Sequence, residues 1–267
     1  MAVAKASAIG GAALGVIVVL SACSTASPSA APPTNRTRSG ATMAPRVPGP
    51  SANAAGAFTV AGDHPVQPNG SQDTTAATPG ARCSRGTLAA DRALGARISA
   101  GFTLAGFSTS AQLLRHFLSG KGTEVSYPAG SAVSEKAKAS SGFKTVNAEV
   151  QGVILARLKA GQMHVYLPAA QLPLVSFGST TSDLYWGFRS TQGLTVTGNV
   201  SRKNGRFAGT LTYVIRDSYG FPANDNLGGF GAPMRYLQTI CGAPEHASGA
   251  RWFPDTITVT VPLDEPA

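Results

Sequence analysis

The chain has 267 residues, 43% of them hydrophobic, with 22 lysines and arginines against 13 acids and a formal net charge of +9. Its cations are dispersed, with no run longer than Arg202-Lys203, and 7% of residues are aromatic, so the dense basic clusters and stacking platforms of a nucleic-acid-binding surface are missing. The length holds one domain of ordinary size with residues to spare, and the charge reads as solubility with a mild attraction to anionic lipids or wall polymers.

The first segment carries one cation, Lys5, ahead of an apolar stretch from Ala8 to Leu20. That stretch is well short of the about 20 residues a membrane-spanning helix needs, so it reads as an export signal. It ends in Leu20-Ser21-Ala22-Cys23, which resembles the bacterial lipobox. The resemblance implies removal of residues 1–22, acyl chains of the palmitate class on Cys23, and residence on the extracytoplasmic face of the cell membrane. Two acyl chains anchor stably without further help. Removing residues 1–22 takes away Lys5 and no acid, leaving a formal net charge of +8.

Residues 23–80 are rich in Ala, Ser, Thr, Pro and Gly, hold nine of the 18 prolines and show no apolar periodicity. Such a composition predicts a lipidated, disordered tether, because too little surface can be buried to offset ordering entropy. Only Ala57-Phe58-Thr59-Val60 has the pattern of a short strand. Residues 81–267 then read as a single folded domain.

Within that domain, Leu113, Leu114, Phe117 and Leu118 recur at helical spacing behind the cap-forming Ser108-Thr109-Ser110, with Gly120 as the stop. A second helix is predicted from Asn147 to Lys159, with Val150, Val153, Ile154 and Leu158 on one face. Met163–Leu167 and Leu172–Phe177 read as short strands. Asn204-Gly205 is the dipeptide of a type I′ hairpin turn. It places Lys203 opposite Arg206 and aligns Val200/Gly209, Gly198/Leu211, Val196/Tyr213 and Leu194/Ile215 on one apolar face, with a Thr-rich face behind. A helix is predicted around Pro233, Leu237, Ile240 and Cys241, followed by a strand in which Ile257, Val259 and Val261 alternate with threonines. The sum is an α+β fold, an antiparallel sheet with helices packed on its apolar face. With Cys23 assigned to lipid, Cys83 and Cys241 remain as an even pair and are predicted to form a disulfide in an oxidising compartment.

Chemistry is sparse. His64, His116, His164 and His246 show no metal-ligand spacing, and no cofactor motif occurs. The most pointed segment is Arg216-Asp217-Ser218-Tyr219-Gly220-Phe221, where the hairpin parity turns Asp217 and Tyr219 toward the core, Asp217 opposite Gln192. An acid on that face demands a partner. Asp217, Tyr219 and Phe221 resemble the Asp-x-Tyr-Asp-Phe segment of colicin M-type toxin domains, which cleave the lipid-linked peptidoglycan precursor. Gly220 stands where that pattern has its second aspartate, and Asn224-Asp225-Asn226 stands where it has a His-Arg pair. The resemblance implies an envelope hydrolase acting through Asp217 with Tyr219, Asp225 or His246. The residues taken alone point instead to a non-catalytic module that binds an envelope polymer or a partner protein.

Overall fold

The computed structural model describes residues 56–67, 82–178, 180–189, 191–221, 228–242 and 249–267. The expected export segment, Cys23, Asp225 and His246 lie outside the described residues.

The hairpin forms as its turn requires. Asn204 and Gly205 both take positive φ, 52° and 71°, which a type I′ turn needs and which matches the twist of the flanking strands. The two strands, β4 (Gly193–Lys203) and β5 (Arg206–Tyr219), pair Lys203 with Arg206, Val200 with Gly209, Gly198 with Leu211, Val196 with Tyr213 and Leu194 with Ile215. Leu194, Val196, Leu211, Tyr213 and Ile215 are fully buried. Thr195, Thr197, Asn199, Ser201, Thr210 and Thr212 on the opposite face are exposed or half-buried. The C-terminal strand, β6 (Phe253–Pro266), joins β5 antiparallel, with Ile257, Val259 and Val261 against Ile215, Tyr213 and Leu211.

The compositional tether runs too far. Ala57–His64 forms a full strand, β1, inside the sheet, where Phe58 pairs with Val200 and Val60 with Gly198 of β4. Phe58 and Val60 are buried, and the Phe58 ring meets Phe207 edge-on at 5.6 Å. The fold therefore begins ahead of residue 81. Its first strand escapes a composition count because alternate alanine and polar residues dilute its two large apolar side chains.

The sheet is mixed rather than antiparallel throughout. Its order is β2-β6-β5-β4-β1-β3, where β2 (Val125–Tyr127) runs parallel to β6 and β3 (His164–Leu167) runs parallel to β1. Each parallel partner lies a long crossover away in the chain, the arrangement parallel pairing requires. Turn chemistry reports only strands adjacent in sequence, so neither pairing was legible. The two parallel strands are the sheet edges, and both are short, which limits edge-to-edge association.

Helices cover the apolar face. They are α1 (Arg85–Leu104), α2 (Ser108–Ser119), α3 (Ala132–Ala139), α4 (Ser141–Lys159), α5 (Tyr185–Phe188) and α6 (Gly231–Thr239). In α2, Leu113, Leu114, Phe117 and Leu118 are buried as their spacing predicts, each such side chain contributing about 1.5–3 kcal/mol. Gly120 closes the helix at φ 71°. The opening of α2 differs from expectation. Its N-cap is Phe107, without a side-chain bond, and the Asp183 carboxylate accepts from Thr109 N at 3.1 Å and Ser110 N at 3.0 Å. Ser110 Oγ donates in turn to the Asp183 carbonyl, and Lys136 Nζ of α3 lies 2.6 Å from Asp183 Oδ2. A remote carboxylate thus satisfies two amides that the local serines and threonine were expected to serve. Burial would raise the Asp183 pKa, but Lys136 and the helix amides outweigh it and hold the group below its usual range.

Helix α4 starts six residues before the predicted Asn147, because Ser140 Oγ caps it through Phe143 N at 3.2 Å. Phe143 then meets Tyr213 edge-on at 5.2 Å, and Asn147 accepts from the Tyr213 hydroxyl at 2.9 Å. Leu172–Phe177 is not a strand. A short 3₁₀ turn, Ala169–Gln171, leads into irregular chain whose Leu172, Val175 and Phe177 are buried, and Pro173 has no amide to give a ladder. Helix α1 carried no strong sequence signal, since its fully buried positions are Gly95 and Ser99.

Cys83 and Cys241 form the predicted disulfide, with Cα atoms 4.9 Å apart across a sequence separation of 158. It ties the residues before α1 to the end of α6, and the Tyr236 hydroxyl reinforces the junction by accepting from Ser84 N at 3.0 Å and donating to Arg82 O at 3.1 Å. Replacing both cysteines by serine is expected to lower unfolding stability by about 2–5 kcal/mol, measured by chemical denaturation of the oxidised and substituted proteins. A change below about 0.5 kcal/mol would mean the cross-link constrains nothing the fold does not already hold.

Candidate functional site

Parity along β5 turns residues 211, 213, 215, 217 and 219 to the core, so Asp217 enters the apolar layer at the end of the strand. The ladder continues past the start of β4, where Gln192 N donates to Arg216 O at 2.8 Å and brings Gln192 beside Asp217 as predicted. On its other side, Asp217 stands directly opposite Asp255 of β6. The sequence reading missed Asp255. A parity count from Ile257 reaches it, since residues 253, 255, 257, 259 and 261 share the core face, but no motif draws attention to it.

The two carboxyl groups are 7% and 0% exposed. Asp217 Oδ1 accepts from the Ser218 amide at 2.9 Å. Neither oxygen of Asp255 has a hydrogen-bond partner, and the buried Tyr127 hydroxyl is likewise unpartnered. Among the described residues no salt bridge reaches either acid; the carboxylates in ion pairs are Asp183, Asp264 and Asp63. Burial pushes the Asp217 pKa up to about 8, against the opposing bonds from the Ser218 amide and the Gln192 side chain. Burial also drives Asp255 well above the carboxylate range, and the charges of Asp217 and Glu124 add to it. Tyr219 and Tyr127 are held neutral by burial and by the Asp255 charge. At neutral pH the pair therefore retains protons, because two adjacent carboxylates without a cation are costly in low dielectric.

The remaining members of the predicted segment are built into an aromatic cluster around that pair. The Tyr219 ring stacks on Phe253 at 5.3 Å and meets Phe117 of α2 at 6.1 Å. Phe221 packs on Phe117 at 4.9 Å, and its amide donates to Gln238 Oε1 of α6 at 2.9 Å. Tyr219 and Phe221 are 7% and 4% exposed. Asp217 and Tyr219 are thus brought to one face, as the sequence implied, but into a closed layer; Asp225 and His246 fall outside the described residues. The other histidines are dispersed. His64 bonds Leu172 O at 2.7 Å, His164 bonds Thr59 Oγ1 at 2.8 Å, and His116 bonds Thr123 O at 2.9 Å. Among the described residues no three His, Cys, Asp or Glu side chains group in a way that could hold a metal ion.

General acid–base chemistry needs carboxyl groups that reach a substrate and a water molecule. Asp217 and Asp255 face each other, Tyr219 and the sheet–helix interior. No protein-family model, curated protein or solved structure matches the chain.

Stability should respond to this pair in the opposite sense to ordinary acid denaturation. Between pH 4 and 8 the unfolded chain has lost the Asp217 proton while the folded chain keeps it, so the contribution is fully present below about pH 4 and is lost as pH rises through about 8. Asp217→Asn should remove that slope and raise stability by at least about 2 kcal/mol at pH 8, with little change at pH 4. The new amide can donate to the unpartnered Asp255 oxygens. Thermal melts of both proteins across this range are the measurement, and a variant destabilised equally at pH 4 and pH 8 would contradict the assignment.

Proposed function

We propose that this chain is an exported lipoprotein, processed before Cys23 and acylated there, which presents a disulfide-tied, non-catalytic domain that binds an envelope polymer or a partner protein at the extracytoplasmic face. The observation that carries the non-catalytic half is the closure of the Asp217–Asp255 pair. The most pointed acid in the sequence faces a second buried acid and an aromatic cluster, an environment that suppresses ionisation and excludes water. The Cys83–Cys241 disulfide supports an oxidising compartment. None of the described helices is long and apolar enough to cross a membrane, so in this reading the lipid supplies the attachment.

One feature favours a second reading, an envelope hydrolase of the colicin M type. Strongly raised carboxyl pKa values concentrate at functional sites, and Asp217 has one. The two readings part on activity. Incubation of the full chain with lipid-linked peptidoglycan precursor is expected to give no cleavage, and cleavage that Asp217→Asn abolishes without loss of stability would establish the hydrolase.

The lipoprotein assignment has its own test. Metabolic labelling with a fatty-acid probe is expected to mark the wild-type chain and to leave Cys23→Ala unlabelled. Equal label on both would defeat it.

A further inference from the structure

Helices α1 and α2 pack against each other, and the surface between them is a shallow apolar groove. Ala96, Ala100 and Leu104 of α1 and Leu118 of α2 line it, with Arg92 and Arg115 among its walls. Leu104 is 90% exposed, the most exposed large hydrophobic side chain among the described residues. Leaving it in water forfeits about 1.5–3 kcal/mol that burial would return, so it suits contact with a second apolar phase. Both groove arginines are anchored on neighbouring groups. Arg92 donates to Leu118 O at 2.7 Å, and Arg115 to Ser99 Oγ at 3.2 Å and Thr103 Oγ1 at 3.4 Å. Arg97, one turn before Ala100, is exposed. Charge in this part of the chain is one-sided: between Arg82 and Gly122 there are six lysines and arginines and a single acid, Asp91.

An apolar groove with a projecting leucine and fixed guanidinium groups matches the layering of a phospholipid surface, acyl boundary below and phosphates above. We propose that the α1–α2 face docks on an anionic phospholipid membrane, with Leu104 entering the interfacial region and Arg97 and Arg115 meeting the phosphates. Guanidinium is suited to phosphate because its planar fork donates two bonds to one group. The docking builds on the anchored reading, because an anchor makes a weak interfacial affinity sufficient. The chain between Cys23 and Gly56 reaches at most about 120 Å even when fully extended, which keeps the face close to its own membrane. At about fivefold per cation near an anionic surface, two arginines shift the docked-to-free ratio roughly 25-fold.

The test is amide hydrogen exchange of the full chain on vesicles of phosphatidylcholine with and without phosphatidylglycerol. Protection of the Ala96–Leu104 amides is expected only with phosphatidylglycerol and should fall as salt is raised. Arg97→Glu, an exposed position outside the core, should reduce the docked-to-free ratio roughly tenfold or more, and Leu104→Asn should weaken it further, each with an unchanged melting temperature. Equal exchange on both vesicle types overturns the proposal. So does equal protection by a soluble polyanion without vesicles, which would make this a polymer-binding face. An unlipidated chain would defeat the anchored reading alone, since the same comparison at vesicle excess still decides the docking.

Discussion

Asn204 and Gly205 can both occupy positive φ, and the tight turn they form puts Lys203 against Arg206. Side-chain direction alternates with a period of two, so this one alignment decides which residues of β4 and β5 face inward, and through β5 those of β6. A slip by one residue would send Leu194, Val196, Leu211, Tyr213 and Ile215 into water and draw threonines into the core. The helical layer depends on the same alignment, since Phe143 and Asn147 of α4 meet Tyr213, and Phe117 of α2 meets Tyr219.

That alignment also creates the molecule's least comfortable feature. Extending the parity to the end of β5 puts Asp217 on the core face, and the pairing of β5 with β6 sets Asp255 opposite it. Protonation is the cheapest response to two acids in this position, and the surrounding aromatic rings give no cation that would make ionisation favourable. By contrast, Asp183 shows what a buried acid looks like when it is fully employed: two helix amides and Lys136 receive its charge, and its pKa falls. The same residue type is therefore driven in opposite directions by its surroundings in two parts of one fold.

Much of the architecture and half of the candidate site were legible in advance, for physical reasons that differ by element. The hairpin, the C-terminal alternation, the α2 stripe and the cysteine pair are each specified by residues near one another in sequence or by an exclusion among few alternatives. Asp217 was found because a motif surrounds it; Asp255 was not, because an acid two residues before an apolar alternation looks like a strand boundary until its neighbour is known. Residues 57–64 were missed as a full strand because Phe58 and Val60 are its only large apolar side chains, and their value depends on Val200, Gly198 and Phe207 far along the chain.

Local chemistry by itself determined the turn, the faces of the central strands and the burial of the α2 stripe, because backbone sterics and hydrophobic periodicity act over a few residues, and cysteine number left one pair once Cys23 was set aside. Tertiary structure alone decided the two parallel pairings, the place of β1 in the sheet, the capping of α2 by a carboxylate more than seventy residues away and the confrontation of Asp217 with Asp255. Each of those joins groups that no local rule connects. Their energies arise only when distant segments exclude water from one another, so the environment that settles whether an acid is charged is a property of the assembled layer.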